Sequence, residues 1–385
     1  MTALWILLGI IAGAALVIWG VDFYHYLVNR YCRYHIGRWP DTLAWQQAVT
    51  RRAIRWTVKT PTVKITDNNR YLLLDMLQGR YRSNTIQSWQ TASLLLGLEH
   101  ISTPPCRDAV QRAAGKLLDK QGMFRVAPTN VDCGMLAYSL LKATTDPERI
   151  RPAMDFAAQL ILSRVAEDGT LVYVNDVQSD ERYVDTVGLA CPFLACYGVT
   201  YGKPDYVSLA VKQLRAFSAY GLEKDTFLPN HAYSASSKLP LGVYGWGRGA
   251  GWYTLGLIDT YQELPDGEDK QWLKEQLRNV ADRYLRFQHD DGGFGAIMQL
   301  QKSYDSSATA ALAYFYKTCA AIFKHEGYAR AADRCLDKLR SVTRITGAID
   351  WCQGDTKGIG IFAQTYDVMP FAQGLTVRSF QQNEG

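Results

Sequence analysis

From about residue 40 onward the chain alternates two kinds of helical segment, and this alternation limits its folds more than any other feature. One kind is apolar all round, as in SSATAALAYFYKTCAAIF; the other is amphipathic, as in DKQWLKEQLRNVADRYLRFQ. A helix apolar on every side must be buried, whereas an amphipathic one buries a single face. The candidate pairs are 87–101 with 105–121, 131–143 with 147–165, 183–200 with 204–220, 248–264 with 267–289, and 305–324 with 327–344. Helices at 43–58 and 362–380 are left over and can pair with each other. The pattern predicts an all-α fold of two concentric rings, six inner and six outer helices, an (α/α)6 barrel. A glycine with an apolar residue one or two positions later marks several outer-helix ends, at Gly122, Gly169, Gly292 and Gly347. Such a residue favours a turn with a short extended return. No internal linker rich in Pro, Gly or Ser divides residues 41–385, so they read as one catalytic domain.

The front of the chain is different. MTALWILLGIIAGAALVIWGV, residues 1–21, carries no charged side chain and is long enough to cross a bilayer. It lacks the basic start of a cleavable signal peptide, so it reads as a transmembrane anchor followed by a juxtamembrane segment, 22–40. Trp19, Phe23, Tyr24 and Tyr26 would sit at the interface. Arg30, Arg33, Arg38, Arg51, Arg52 and Arg55 follow the apolar run. The positive-inside rule places that side in the cytoplasm of a single-pass inner (cell) membrane protein. A hydrolase of exported polysaccharide would instead need the periplasmic or extracellular face, which stands as the alternative.

Composition narrows the function. A net charge of +5 without a long basic run argues against a nucleic-acid partner. The eight cysteines form no CxxC pair, and several fall in apolar helical runs. A disulfide framework or zinc site is therefore not expected, and the usage leans toward a reducing compartment.

If the inner helices run parallel, their N-termini share one end of the barrel, and unusual residues collect there. Trp89 and Gln90 open the first, Asp132 the second, Asp185 the third, and Arg248 with Trp252 the fourth. Asp305, Ser306 and Ser307 open the fifth, and Gln364 to Asp367 the sixth. Aspartate and serine are favoured helix caps, which suffices for Asp305 and competes with catalysis at Asp132 and Asp185. Capping does not explain Arg248, because a cation opposes the helix dipole at an N-terminus. Set between Trp246 and Trp252 and among Gly247, Gly249 and Gly251, it suits an anionic ring-shaped ligand gripped by the guanidinium and stacked on indole. A glycine-rich turn with a core Trp pair is the competing reading. His231 precedes this motif in a polar stretch, LPNHAYSAS.

Four segments, NVDCGMLAYSLL, YVDTVGLACPFLACYG, NHAY and WGRGAGWYTLGLIDTY, occur in an order that resembles the unsaturated glucuronyl and rhamnogalacturonyl hydrolases, glycoside hydrolase families 88 and 105. The likeness spans about residue 70 to 375 and implies a six-hairpin α/α barrel. It implies removal of a 4,5-unsaturated uronic acid from the non-reducing end of lyase-derived oligosaccharides. The reaction hydrates the vinyl ether instead of attacking the glycosidic bond, and needs no metal or organic cofactor. Asp185 aligns with the general acid/base and Asp132 with the second catalytic carboxylate. Tyr183, His231, Arg248 and Trp252 fall at substrate-contacting positions, to which the clustering above adds Trp89 and Trp246. A raised Asp185 pKa would come from burial or from the like charge of Asp132. The sequence departs from the pattern at Ala250, where asparagine is expected, and at 353–361, which only loosely matches a late Gly-rich loop. Beyond the oligosaccharide and the bilayer, a second reading supplies different partners: a catalytically silent saccharide-binding protein serving polysaccharide-assembly proteins of a capsule or exopolysaccharide system.

Overall fold

The computed structural model describes residues 1–61, 63–64, 67–68, 70–82 and 86–380. The first helix, α1 (Thr2–Tyr34), runs unbroken from the apolar stretch through most of residues 22–40. Next come α2 (Thr42–Trp56), the short α3 (Leu72–Leu77), α4 (Ser88–Glu99) and α5 (Pro104–Leu117). The chain continues through α6 (Cys133–Ala143), α7 (Pro147–Leu162), α8 (Val184–Thr200) and α9 (Pro204–Tyr220). It ends with α10 (Gly247–Glu263), α11 (Glu268–Tyr284), α12 (Ser306–Phe323), α13 (Glu326–Ser341) and α14 (Pro370–Arg378).

The even-numbered helices from α4 to α14 each pack on the next, and α14 packs back on α4, closing the inner ring. The segments apolar on every side are these inner helices; α8 is buried without a break from Thr186 to Gly198. The odd-numbered helices from α5 to α13 pack outside their hairpin partners, and α2 closes the outer ring against α14. Asp41 starts α2 by accepting the Ala44 N–H at 2.7 Å. Gln373 of α14 then donates to the Val49 carbonyl at 2.9 Å, tying the first and last barrel elements together.

Most of the expected outer helices overrun the observed ones at the C-terminal end, α11 among them, which stops at Tyr284 instead of 289. After α5, α7 and α13 the chain leaves helical geometry and forms a single antiparallel bridge across a turn, as at Leu118 with Phe124, Val165 with Leu171 and Thr343 with Ile349. The turn glycines Gly122, Gly169 and Gly347 take φ of 77°, 74° and 79°, the left-handed region that suits glycine. A second difference is larger. The last inner helix was expected over 362–380 but begins at Pro370. Tyr366–Asp367 is instead a strand paired with Cys352–Gln353, so Gln364 to Asp367 do not open a helix. Proline fits the first helical position, where no N–H is needed.

At the C-terminal end of the inner helices the barrel is plugged by polar side chains. Arg378 donates to both oxygens of Asp259 at 2.8 and 3.0 Å, and the Tyr314 hydroxyl donates to Asp259 at 2.7 Å, all buried. A bidentate, fully partnered pair is the form in which charges are tolerated inside a protein. The opposite end is hollow.

Candidate active site

The hollow is a cavity of about 280 Å³ at the N-terminal ends of α4, α8 and α10. Trp89, Tyr183, Asp185, His231, Trp246, Arg248 and Trp252 all line it, although they are spread over more than 160 residues of chain. Asp132 is not among the lining residues. It stands beside them at the start of α6, where its carboxylate accepts a hydrogen bond from the Ser88 hydroxyl. Burial pushes its pKa up.

A small sheet brings Asp185 and His231 together. Glu181–Tyr183 pairs antiparallel with Ala232–Ser234, setting Tyr183 opposite Ala232. The Val184 N–H donates to the His231 carbonyl at 3.0 Å. Asp185 thus enters in the first turn of α8 facing the imidazole, His231 Nε2 lying 3.8 Å from Asp185 Oδ2. The Gly360 N–H donates to His231 Nδ1 at 3.2 Å, which fixes the neutral tautomer with the proton on Nε2, toward Asp185. Burial, with help from the Arg248 charge, lowers the His231 pKa to about 4, so the ring is uncharged at neutral pH.

Asp185 Oδ2 is buried and has no hydrogen-bond partner. Burial raises the Asp185 pKa to about 7 against the opposing pull of Arg248. A smaller push comes from Asp355, and Asp132 does not contribute. The expected cause was therefore half right: burial acts, but the like charge belongs to a residue of a different loop.

Arg248 is 1% exposed. It donates to the carbonyls of Gln353 at 2.8 Å and Gly354 at 2.6 Å, which fastens the 353–358 loop over the cavity. These bonds leave guanidinium N–H groups to spare, and among the described residues no carboxylate forms an ion pair with it. The turn around it serves packing. A side chain at Gly247 would strike the Gly295 carbonyl at 2.1 Å, and one at Gly251 would meet Ala311 at 2.9 Å. These two glycines thus admit the loop at Gly295 and the helix α12.

The indoles are also less free than expected. Trp246 lies against His231 and Phe362, with ring centroids 4.8 and 5.4 Å away. Trp252 packs on Trp89 and Phe371 at 5.6 and 4.7 Å. These rings build the walls and floor, and their faces are largely taken. Tyr183 donates to Glu181 at 2.8 Å, which orients its ring beside His231.

The late loop supplies what the motifs missed: Asp355, Thr356, Lys357 and Gly358 line the cavity, with Gln87 and Tyr173 from earlier loops. Gln87 accepts from the Trp89 indole N–H at 2.6 Å and donates to Asp355 at 3.0 Å, so the loop is tied to the opposite wall. The weak Gly-rich match at 353–361 was the only signal for this loop. Tyr173 had none.

With a cavity that brings together a carboxyl of raised pKa, an uncharged imidazole and a carboxylate-free guanidinium, the chain resembles known carbohydrate-active enzymes. The family model for Glycosyl Hydrolase Family 88 matches residues 77–356, well over half of the chain. A solved structure from Klebsiella pneumoniae subsp. pneumoniae, described as a possible member of family GH105, superimposes with a TM-score of 0.73 at 18% identity, covering 87% of this chain and 91% of that one. A GH105 counterpart from Salmonella enterica, described in the same terms, gives 0.72 at 17%, covering 87% and 92%. The unsaturated glucuronyl hydrolase of Bacillus sp. GL1, responsible for degradation of glycosaminoglycan, gives 0.66 at 17%, covering 87% and 93%. These likenesses fix the six-hairpin barrel as the fold. The family match, which spans both aspartates and the Arg248 motif, establishes that this chain belongs to glycosyl hydrolase family 88.

Proposed function

We propose that this hydrolase removes a 4,5-unsaturated uronic acid from the non-reducing end of an oligosaccharide by hydrating its vinyl ether. The observation that carries the reading is the orphaned, half-protonated carboxyl of Asp185 beside a buried guanidinium. An enol ether needs a proton donor at C4 and stabilisation of the cation that forms at C5 and the ring oxygen. Asp185 holds its proton near neutral pH and can deliver it to C4. The resulting carboxylate takes a proton from water as the water oxygen bonds to C5. The hemiketal then opens to a ketone, and the leaving sugar departs from C1 with a proton, so the net change is addition of one water. The spare N–H groups of Arg248 suit the uronate carboxylate, and His231 Nε2–H suits a substrate or water oxygen. Asp132, bonded by Ser88 at the edge of the site, fits the second carboxylate.

Reaction of the full chain with a lyase-derived unsaturated disaccharide in heavy water tests this. Hydration places one deuterium on C4 of the product and abolishes the ultraviolet absorbance. Direct hydrolysis of the glycosidic bond would leave the double bond and its absorbance intact, and would overturn the mechanism.

We further read α1 as a membrane anchor. It is the one described helix long and apolar enough to cross a bilayer, and none of its residues is buried. The arginines that follow favour a cytoplasmic catalytic domain. Protease accessibility of the barrel in sealed inverted vesicles tests that orientation.

A further inference from the structure

The short helix α3 belongs to neither ring of the barrel, and its helix partner is α1. Both carboxylate oxygens of Asp22 on α1 accept its first N–H groups, from Tyr71 at 2.8 Å and Leu72 at 2.9 Å. Leu72 and Asp75 turn inward and are buried. Tyr71, Leu74 and Leu77, spaced by three, are exposed at 51%, 42% and 76%. A surface helix ordinarily turns its apolar stripe inward; this one also turns an apolar stripe out.

The position of that stripe along α1 is informative. Residues 2–17 of α1 are exposed all round. From Ile18 on, one face is partly covered, at Ile18, Val21, Asp22, His25, Asn29 and Arg33. Arg33 locks the far end of this contact, donating to both oxygens of Asp350 at 2.7 and 2.9 Å. The helix is therefore pinned to the rest of the chain at two points, Asp22 and Arg33. The uncharged stretch Thr2–Val21 is about 30 Å long at 1.5 Å per residue, the thickness of a hydrocarbon core. Asp22, the residue that caps α3, comes next. So α3 starts where the hydrocarbon ends, and Arg30, Arg70 and Arg80 are exposed around it, as contact with anionic headgroups requires.

The same segment reaches the active site. Asp67 forms an ion pair with Lys357, which lines the cavity, and accepts the Gln364 N–H at 2.9 Å. Resting on the reading of α1 as an anchor, we propose that α3 is a second membrane contact. Its Tyr71–Leu74–Leu77 stripe seats in the headgroup layer of an anionic bilayer and holds the rim of the saccharide cavity at the membrane surface. The cavity is then placed for saccharide presented at that surface, and the enzyme is a membrane-docked hydrolase, not a tethered soluble one.

Spin labels on the full chain in phosphatidylcholine–phosphatidylglycerol nanodiscs test this. Cys32, the one cysteine not buried, is first replaced by serine. Labels are then placed singly at Leu8→Cys, Leu77→Cys and Asp266→Cys, the last in the exposed turn at the other end of the barrel. Relative access to oxygen and to a water-soluble nickel chelate reports depth. The expected result is lipid exposure at 8, interfacial depth at 77 and full water exposure at 266. In a Leu74→Glu background the label at 77 is expected to move to water. A label at 77 as wet as that at 266, with 8 in lipid, overturns the docking and leaves the anchor. Water exposure at 8 overturns both.

Discussion

Asp305 and Asp185 stand at the starts of two inner helices of one barrel, and their surroundings assign them opposite duties. Asp305 caps α12 completely: its carboxylate accepts the Ser307 and Ala308 N–H groups at 3.0 and 3.3 Å and the Ser307 hydroxyl at 2.6 Å. It also takes the Gln353 N–H at 2.9 Å. Asp185 faces a cavity with one oxygen buried and unpartnered, and burial keeps it half protonated near pH 7. The same residue type near the start of an inner helix is a structural pin in one case and, on the proposed reading, a proton donor in the other. Satisfaction of the carboxylate separates them: Asp305, the N-cap, is fully partnered, whereas Asp185, one step inside the first turn, leaves an oxygen bare.

The largest expected effect sharpens this contrast. Asp185→Asn keeps the shape and removes the acid, so kcat/KM should fall by about 1,000-fold or more without loss of folding. Steady-state rates beside a melting curve check it, and retained turnover would erase the distinction. Asp305→Ala should do the reverse. Losing a cap and orphaning several buried donors should cost about 3 kcal/mol in urea unfolding, while the folded fraction keeps its activity within about tenfold.

The pH dependence of stability follows next. A carboxyl whose folded pKa is raised binds its proton more tightly in the native state. Its contribution is therefore greatest at low pH and is lost as pH rises from the ordinary carboxylate range through about 7. Asp185→Asn removes that dependence and should be more stable than the parent above neutrality, on the order of 2 kcal/mol after allowing for water in the cavity. The two proteins should converge in acid. Urea titrations at both extremes decide it.

The smallest effect concerns Asp355, the like charge nearby. Activity needs protonated Asp185, so kcat/KM should fall as pH rises through about 7. Asp355→Asn should move that limb to lower pH, by under about one pH unit. An unmoved limb would remove Asp355 from the account.

Most of the barrel was legible because the signal was physical. Burial on all sides needs an apolar circumference, and α8 and α12 have one. Helix ends were harder. The residues after α5 and α13 keep helical composition but spend their hydrogen bonds on bridges to the returning chain, a choice made by partners outside the helix. At 366–367 the pairing with 352–353 likewise overrides local pattern. Within the site, Arg248 could be singled out because it breaks a local rule, and Asp185 because the family resemblance separates it from the other aspartates at helix starts. The roles of Gln87 and Asp355 could not, because they depend on a loop held by Arg248 through backbone carbonyls, which carry no side-chain signature. For Trp246 and Trp252 the sequence left stacking on a ligand and core packing both open; both line the cavity, and their rings also contact His231, Phe362 and Phe371, neighbours only the fold supplies.

The central claim is that one carboxyl in this barrel keeps its proton into the neutral range. Infrared difference spectra of the parent minus Asp185→Asn, taken across a pH titration, observe that carboxyl directly. A protonated-carboxyl band that disappears as pH rises through about 7 is the predicted result. A band already absent in mildly acidic solution, where ordinary aspartates are ionised, would contradict it.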